Sequence, residues 1–209
     1  MKPRTRIPNS PASGAVLPSV KPGQVVVGID EVGRGAWAGP LLVVAVALTA
    51  PAPAGLTDSK LLSRARREVL AAEIRDTAAG IGFGWVPVRE LDEVGLAAAL
   101  KLGAHRAVES LGCPYDLIVI DGTSNFLPGY PVVTLANADY FVPQVAAASI
   151  VAKVARDRYM ARLHAHDSRY GFDAHVGYGT AHHRAMLERH GASPHHRTSF
   201  QPIKNLSAA

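Results

Sequence analysis

Four acids, Asp30, Glu31, Asp121 and Asp139, carry the chemical interest of this 209-residue chain. Asp30 and Glu31 end the apolar run Val25–Ile29 in VVVGIDEVGRGAWAGP and are followed by Gly33, Arg34 and Gly35. A run of that length reads as a short buried strand. Successive strand side chains point to opposite faces, so the two acids can serve one metal only if the chain leaves strand geometry at about Glu31. Glycines permit such a departure and leave backbone N–H groups open to a close ligand, while Arg34 adds a cation. Carboxylates for a hard metal beside amides and a guanidinium for an anion suit metal-assisted hydrolysis of a phosphate ester. A strand closed by a polar turn accounts for the same residues without chemistry, so the other acids have to decide.

Asp121 repeats the opening logic. Leu117–Ile120 is an apolar strand that hands Asp121 to its end, where Gly122 turns the chain; a turn role for the aspartate is the alternative. Asp139 stands at or before the start of a long helix from about Val142, a position the helix dipole also favours. Clustered carboxylates repel one another, and a divalent cation relieves that repulsion. Asp157 lies roughly 20 Å further along the helix at about 1.5 Å per residue, so it is read as an ion-pair partner of Lys153 or Arg158. Tyr178, between Gly177 and Gly179, is placed to stack on a sugar or base or to serve as an ordinary turn residue. Six histidines fall between His175 and His196, but their spacing matches no standard zinc site. Arg197, Thr198 and Ser199 either contact phosphate or finish the fold.

Strands and helices must position these groups. Leu41–Leu48 follows the first loop closely enough to be an antiparallel neighbour. After a Pro/Ala break at Thr49–Gly55, residues 57–80 read as one helix capped by Thr57, Asp58 or Ser59, with Leu61, Leu62, Val69, Leu70 and Ile74 on its apolar side. Arg64, Arg66 and Arg67 form its solvated face. Ile81–Val86 is a third strand and Val88–Leu111 is helical, with Leu91, Val94, Leu100, Leu102 and Val108 inward and Gly95 and Gly103 weakening its continuity. Tyr130–Ala136 is a fifth strand. One α/β domain over residues 23–201 is expected, between a disordered tail at 1–22 and a short tail at 202–209. With 22 Lys+Arg against 17 Asp+Glu the chain carries a formal charge of +5, which fits a polyanionic partner. The single cysteine, Cys113, excludes an internal disulfide and a multi-cysteine zinc site, and points to a reducing compartment. No apolar stretch has transmembrane length and the first twenty residues lack a signal-peptide core, so a cytoplasmic location is expected.

Taken together, GIDEVGRGAWAGP, TDSKLL, IVIDG, NADYFVPQVAAASIVAKVARDRYM and YGFDAHVGYGTAHH with HHRTSF resemble, in order, the ribonuclease HII family. That resemblance implies a ribonuclease H-like α/β fold, a mixed five-stranded sheet flanked by helices with additional C-terminal helices. It implies hydrolysis of the RNA strand of RNA–DNA hybrids and cutting 5′ to ribonucleotides embedded in duplex DNA, leaving 5′-phosphate and 3′-hydroxyl ends. Asp30, Glu31, Asp121 and Asp139 would be catalytic, with Asp30, Glu31 and Asp121 the main ligands of Mn²⁺ or Mg²⁺. Gly33, Arg34 and Gly35 would sense the ribose 2′-OH, the group that separates RNA from DNA, and Tyr178 would stack on the following sugar. The partners would be RNA–DNA hybrid and ribonucleotide-containing duplex, met by a monomer. The chain departs from the family pattern at Val176, where a lysine is usual, at Thr123, and at Ala36 and Trp37. A hybrid-binding module without catalysis and another nuclease or transposase of the same fold are the rival readings.

Overall fold

The computed structural model describes residues 21–48 and 51–206. Apart from Lys21 and Pro22, the tail expected at 1–22 lies outside the described residues, as do Thr49, Ala50 and residues 207–209.

Strand β1 (Val26–Val32) pairs antiparallel with β2 (Leu41–Leu48), from Val27 opposite Ala47 to Val32 opposite Leu42. On the far side of β2, β3 (Ala78–Val86) is also antiparallel. On the free side of β1, β4 (Leu117–Asp121) runs parallel, and β5 (Val132–Leu135) runs parallel to β4. The order β3-β2-β1-β4-β5 is the mixed five-stranded sheet expected from the sequence.

Helices cover both faces, which is why LLVVAVAL shows no polar alternation. Leu41, Val43, Ala45 and Ala47 of β2 pack toward α2 (Val88–Val94) and α3 (Leu96–Glu109), beside Leu91, Leu100 and Ala104. Leu42, Val44 and Val46 pack toward α1 (Arg64–Thr77) and α4 (Pro143–His166), beside Leu70, Ile74, Ala147 and Ile150. The small-residue surface of α4 brings it so close to β1 that a Cβ on Gly28 would stand 2.1 Å from the Gln144 carbonyl carbon. That contact holds α4 directly against the strand that carries the first two acids.

Several boundaries differ from the sequence reading. The helix expected over 57–80 is two elements. Asp58 caps a 3-10 turn, Ser59–Leu61, by accepting the Lys60 N–H at 2.9 Å; the chain extends at Leu62, and Ser63 caps α1 through the Arg66 N–H. Leu70 and Ile74 are buried as expected, but Leu61 and Val69 are exposed because the break rotates them off the core face. Arg67 leaves the solvated face and donates to the Ser59 and Leu62 carbonyls, tying the two elements together. Residues 78–80 belong to β3 rather than to the helix. The helix expected over 88–111 breaks at Gly95, whose φ of 78° ends α2, and Val94 beside it is exposed. Gly103 stays helical and packs on Val43. Past α4 come three short helices, α5 (Phe172–His175), α6 (Ala181–His190) and α7 (Ile203–Leu206). The packed region runs beyond the boundary expected at 201, since Ile203 is fully buried in the cluster of Tyr170, Phe172 and Leu187.

Candidate active site

Beside β1 the sheet opens at a defined level. β4 pairs with β1 only as far as Ile29 opposite Ile120, whereas β2 continues to pair with Asp30, Glu31 and Val32. The chain therefore does not leave strand geometry at Glu31, contrary to expectation. Asp30 and Glu31 still line one cavity of about 490 Å³, together with Asp121, because β4 no longer separates the two faces of β1 at that level. Gly33, Arg34, Gly35 and Tyr178 line the same cavity, as do Ser59, Lys60, Ser149 and Lys153.

Burial and mutual repulsion dominate the electrostatics. Burial, then the Glu31 and Asp121 charges, push Asp30 up to about 8, against the Ser149 hydroxyl and the Glu31 N–H, which stabilise its anion. That N–H reaches Asp30 Oδ1 at 2.8 Å. Glu31 is raised by burial and by Asp121, opposed by Arg34, whose guanidinium stands 3.6 Å away. Arg34 is thus largely exposed and paired, not a lone fixed cation. Asp121 is raised by burial although the Ala138 N–H donates to it at 2.7 Å. Carboxylates raised in this way are stabilised when a cation enters among them.

Asp139 stands one layer back. It lies in a 3-10 turn, Ala138–Tyr140, just before α4, is 5% exposed, and does not line the large cavity. Burial, then Asp121 and Asp58, push it up to about 7. Asp58, which the sequence explains as a cap while leaving a site role open, is buried, hydrogen-bonds with Asp139 and lies 3.6 Å from Lys60 Nζ. Lys60 is raised because Asp58, Asp139, Asp30 and Asp121 outweigh the effect of burial. Ser149 of α4 bonds Asp30 and lies 3.0 Å from the Ser59 hydroxyl. Asp157 pairs with Lys153 at 2.7 Å as expected, and Arg158 instead pairs with Glu68.

Three backbone segments interlock around the loops. The Trp37 N–H donates to the Gly177 carbonyl at 2.8 Å, the Gly39 N–H to the His195 carbonyl at 2.9 Å, and the Arg197 N–H to the Trp37 carbonyl at 2.8 Å. A Cβ on Gly179 would fall 2.1 Å from the Trp37 indole, so the glycine beside Tyr178 is what lets that ring pack there. Tyr178 itself is 37% exposed. Arg197 is fully buried, so it does not contact phosphate from the surface; it donates to the Gly39 and Arg34 carbonyls. Thr198 and Ser199 both donate to Asp92. His175, His183 and His196 are buried packing groups rather than ligands. His183 Nδ1 donates to the Tyr178 carbonyl, His183 Nε2 then accepts from His196 Nε2 at 3.0 Å, and His196 Nδ1 accepts from Ser193, which fixes neutral tautomers. Burial accordingly pulls His183 and His196 down to about 4.

Among the described residues no three carboxylate, imidazole or thiolate groups form a ready-made metal cage. The donor set nevertheless fits an open site for a hard cation: every donor is an oxygen, and their repulsion is what a cation relieves. A mixed β3-β2-β1-β4-β5 sheet with acids at the ends of β1 and β4 defines a nuclease of the ribonuclease H-like class. Solved structures agree on the fold. The chain superposes on a ribonuclease H2 from Pyrococcus horikoshii OT3 with a TM-score of 0.72 at 24% identity, covering 88% of this chain and 97% of that one. For an RNase HII from Archaeoglobus fulgidus, solved in a complex with PCNA, the TM-score is 0.71 at 30% identity over 85% of this chain and 95% of that one. A Bst-RNase HIII solved with Mn²⁺ gives 0.68 at 20% identity over 88% and 70%. In sequence the chain is 42% identical over 204 residues to a ribonuclease HII from Burkholderia mallei, covering 96% of this chain and 95% of that one. The ribonuclease HII family model matches residues 27–203, and the chain belongs to that family. It is a ribonuclease H, an endonuclease acting on RNA–DNA, and enzymes of that class use divalent metals.

Proposed function

We propose that this enzyme cuts 5′ to ribonucleotides embedded in duplex DNA, as well as within longer RNA–DNA hybrids, leaving 5′-phosphate and 3′-hydroxyl ends. The observation that carries the reading is that Asp30, Glu31, Asp121, the Gly33–Gly35 loop and Tyr178 share one cavity. Asp30, Glu31 and Asp121 would hold Mg²⁺ or Mn²⁺, two ions with substrate bound. Metal bound there supplies an activated water for in-line attack and charge stabilisation at the departing 3′ oxygen. Ser149 and the Glu31 N–H orient Asp30, and the Ala138 N–H orients Asp121. Asp139 acts as the fourth catalytic acid from behind Asp121, its proton held more tightly by burial and then by the Asp121 and Asp58 charges.

Gly35 has open space where a side chain would stand, so the backbone there can approach a ribose 2′-OH closely. Arg34 turns toward a phosphate when its Glu31 partner is engaged. Tyr178 stacks on the sugar that follows the ribonucleotide. Such an activity serves ribonucleotide removal and RNA primer removal, in a cytoplasmic monomer. No described helix is long and apolar enough to cross a membrane. Replacing both Asp30 and Asp121 with alanine tests the assignment: cleavage disappears while binding of the duplex persists, and metal-dependent cleavage by the folded double variant would contradict it.

A further inference from the structure

Arg156 and Arg197 are fully buried, and among the described residues neither hydrogen-bonds to a carboxylate. An uncompensated buried charge is costly unless its donors are met. Here they are met by backbone carbonyls, and all of those carbonyls belong to the two loops that face the substrate cavity or to the turn that joins the first loop to β2. Arg156 donates to Pro40 at 2.9 Å, to Ala38 at 2.9 Å and to Val176 at 2.8 Å. Arg197 donates to Gly39 through both Nε and Nη2, and to Arg34 at 3.1 Å. One guanidinium therefore spans from the 38–40 segment to the loop that carries Tyr178, and the other grips the Gly33–Gly35 loop by the Arg34 carbonyl.

Two contacts show that the spacing is fixed from within. Gly33 has a φ of 87°, and a Cβ there would sit 2.3 Å from Arg156 Nε, so the loop rests on the guanidinium. Val176 adopts a φ of 47°, a left-handed conformation unusual for a β-branched residue, and its carbonyl is the one Arg156 holds. The Arg156 guanidinium also stands 5.8 Å from the centre of the Tyr178 ring.

We propose that Arg156 and Arg197 are positioning residues that fix the distance between the Gly33–Gly35 loop and Tyr178, and thereby set the preference for a ribonucleotide followed by a deoxyribonucleotide over continuous hybrid. The proposal rests on the reading that these two loops contact the nucleotide. A forked guanidinium can hold two carbonyls in a plane, which an ammonium cannot, so Arg156→Lys and Arg197→Lys keep the charge and loosen the brace.

The test uses the full chain and two substrates, a duplex with one embedded ribonucleotide and a long hybrid. For Arg156→Lys, KM on the embedded ribonucleotide rises about tenfold and the preference over long hybrid falls by a similar factor, within the ~100-fold that a misplacement of about 1 Å can cost. Its kcat at saturation changes far less. In a Trp85→Phe background, iodide quenching of Trp37 increases, because that indole packs under Gly179 beside Tyr178. A role in stability alone lowers the active fraction equally on both substrates and leaves KM, the ratio and quenching unchanged, which overturns the proposal. Arg197→Lys provides the second variant, with the change in ratio expected again while the Val176 carbonyl stays held. Failure of both variants to fold also overturns it, in favour of a structural role. If the wild type itself shows no preference for the embedded ribonucleotide, the reading of the loops fails, and the proposal that rests on it is overturned with it.

Discussion

Replacing Asp30 with asparagine should stabilise the metal-free protein while removing its activity. Asp30 is pushed from 3.8 to about 8 by burial and by the Glu31 and Asp121 charges. In the unfolded chain the carboxyl ionises near 3.8, so between pH 4 and pH 8 the folded state binds a proton that the unfolded state has lost. Stability from this group is therefore full below about pH 4 and declines as pH rises toward 8. At about 1.4 kcal/mol per unit, the cost at pH 7 reaches roughly 4 kcal/mol, and water in the open cavity reduces it to ~2 kcal/mol. Asparagine removes the charge and keeps an oxygen for the Glu31 N–H. The variant should melt ~4–8 °C above wild type at pH 7, at about 2–4 °C per kcal/mol for a chain of this size. The difference should shrink toward zero at pH 4. Added Mg²⁺ or Mn²⁺ should raise the melting temperature of the wild type by relieving the same repulsion, and should do little for the variant. Thermal melts across pH, with chelator or with metal, give all four comparisons. A variant that melts at or below wild type at pH 7, with an undiminished response to metal, would refute the reasoning.

Two other consequences concern the loops and the histidine network. Val176→Gly should stabilise by about 1 kcal/mol, since relief of roughly 1–3 kcal/mol of backbone strain exceeds the added chain entropy of glycine, as urea melts would show; Val176→Lys should steepen the salt dependence of duplex binding by about one unit of slope. His183 and His196 are held near 4 in the fold against 6.5 when free, so the unfolded state takes up protons first as pH falls through 6.5. In a background with Asp30, Asp121 and Asp139 replaced by asparagine and Glu31 by glutamine, which removes the raised acids that titrate in the opposite sense, urea melts should show stability falling between pH 6.5 and 4, by ~1–2 kcal/mol per ring at pH 5; a flat profile would contradict the neutral tautomers assigned to the network.

Apolar runs made much of this fold legible. Val25–Ile29, Leu41–Leu48 and Leu117–Ile120 announce strands by composition, and the acids at the ends of the first and third are visible because each run stops at a charge. The register was not legible. That β4 stops pairing with β1 at Ile120 while β2 pairs on through Val32 depends on which strands are neighbours, and only this lets Glu31 share a cavity with Asp30 without a break in β1. Ser63 competes with Asp58 as a cap in TDSKLLS, and local sequence does not say which starts the long helix. Arg156 reads like any charged residue in the polar stretch of α4, and Arg197 like a surface contact in HHRTSF. Apart from the Val176 carbonyl, twenty residues on from Arg156, their partners are carbonyls more than a hundred residues away, which no spacing rule reports. Asp58 and Ser149 reach the site for the same reason: the fold, not the local pattern, turns them inward. The packing of the histidines was not legible either, since it depends on Tyr170 and Phe172 arriving from another segment.

The most direct measurement is cleavage of a duplex containing one embedded ribonucleotide, beside an all-DNA duplex, in Mg²⁺, in Mn²⁺ and in chelator. A single cut 5′ to the ribonucleotide, absent from the all-DNA duplex and abolished by chelator, is the predicted result. Cleavage restricted to long hybrids would contradict the roles given to Gly33, Arg34, Gly35 and Tyr178, and binding without any cleavage would contradict the roles of the four acids.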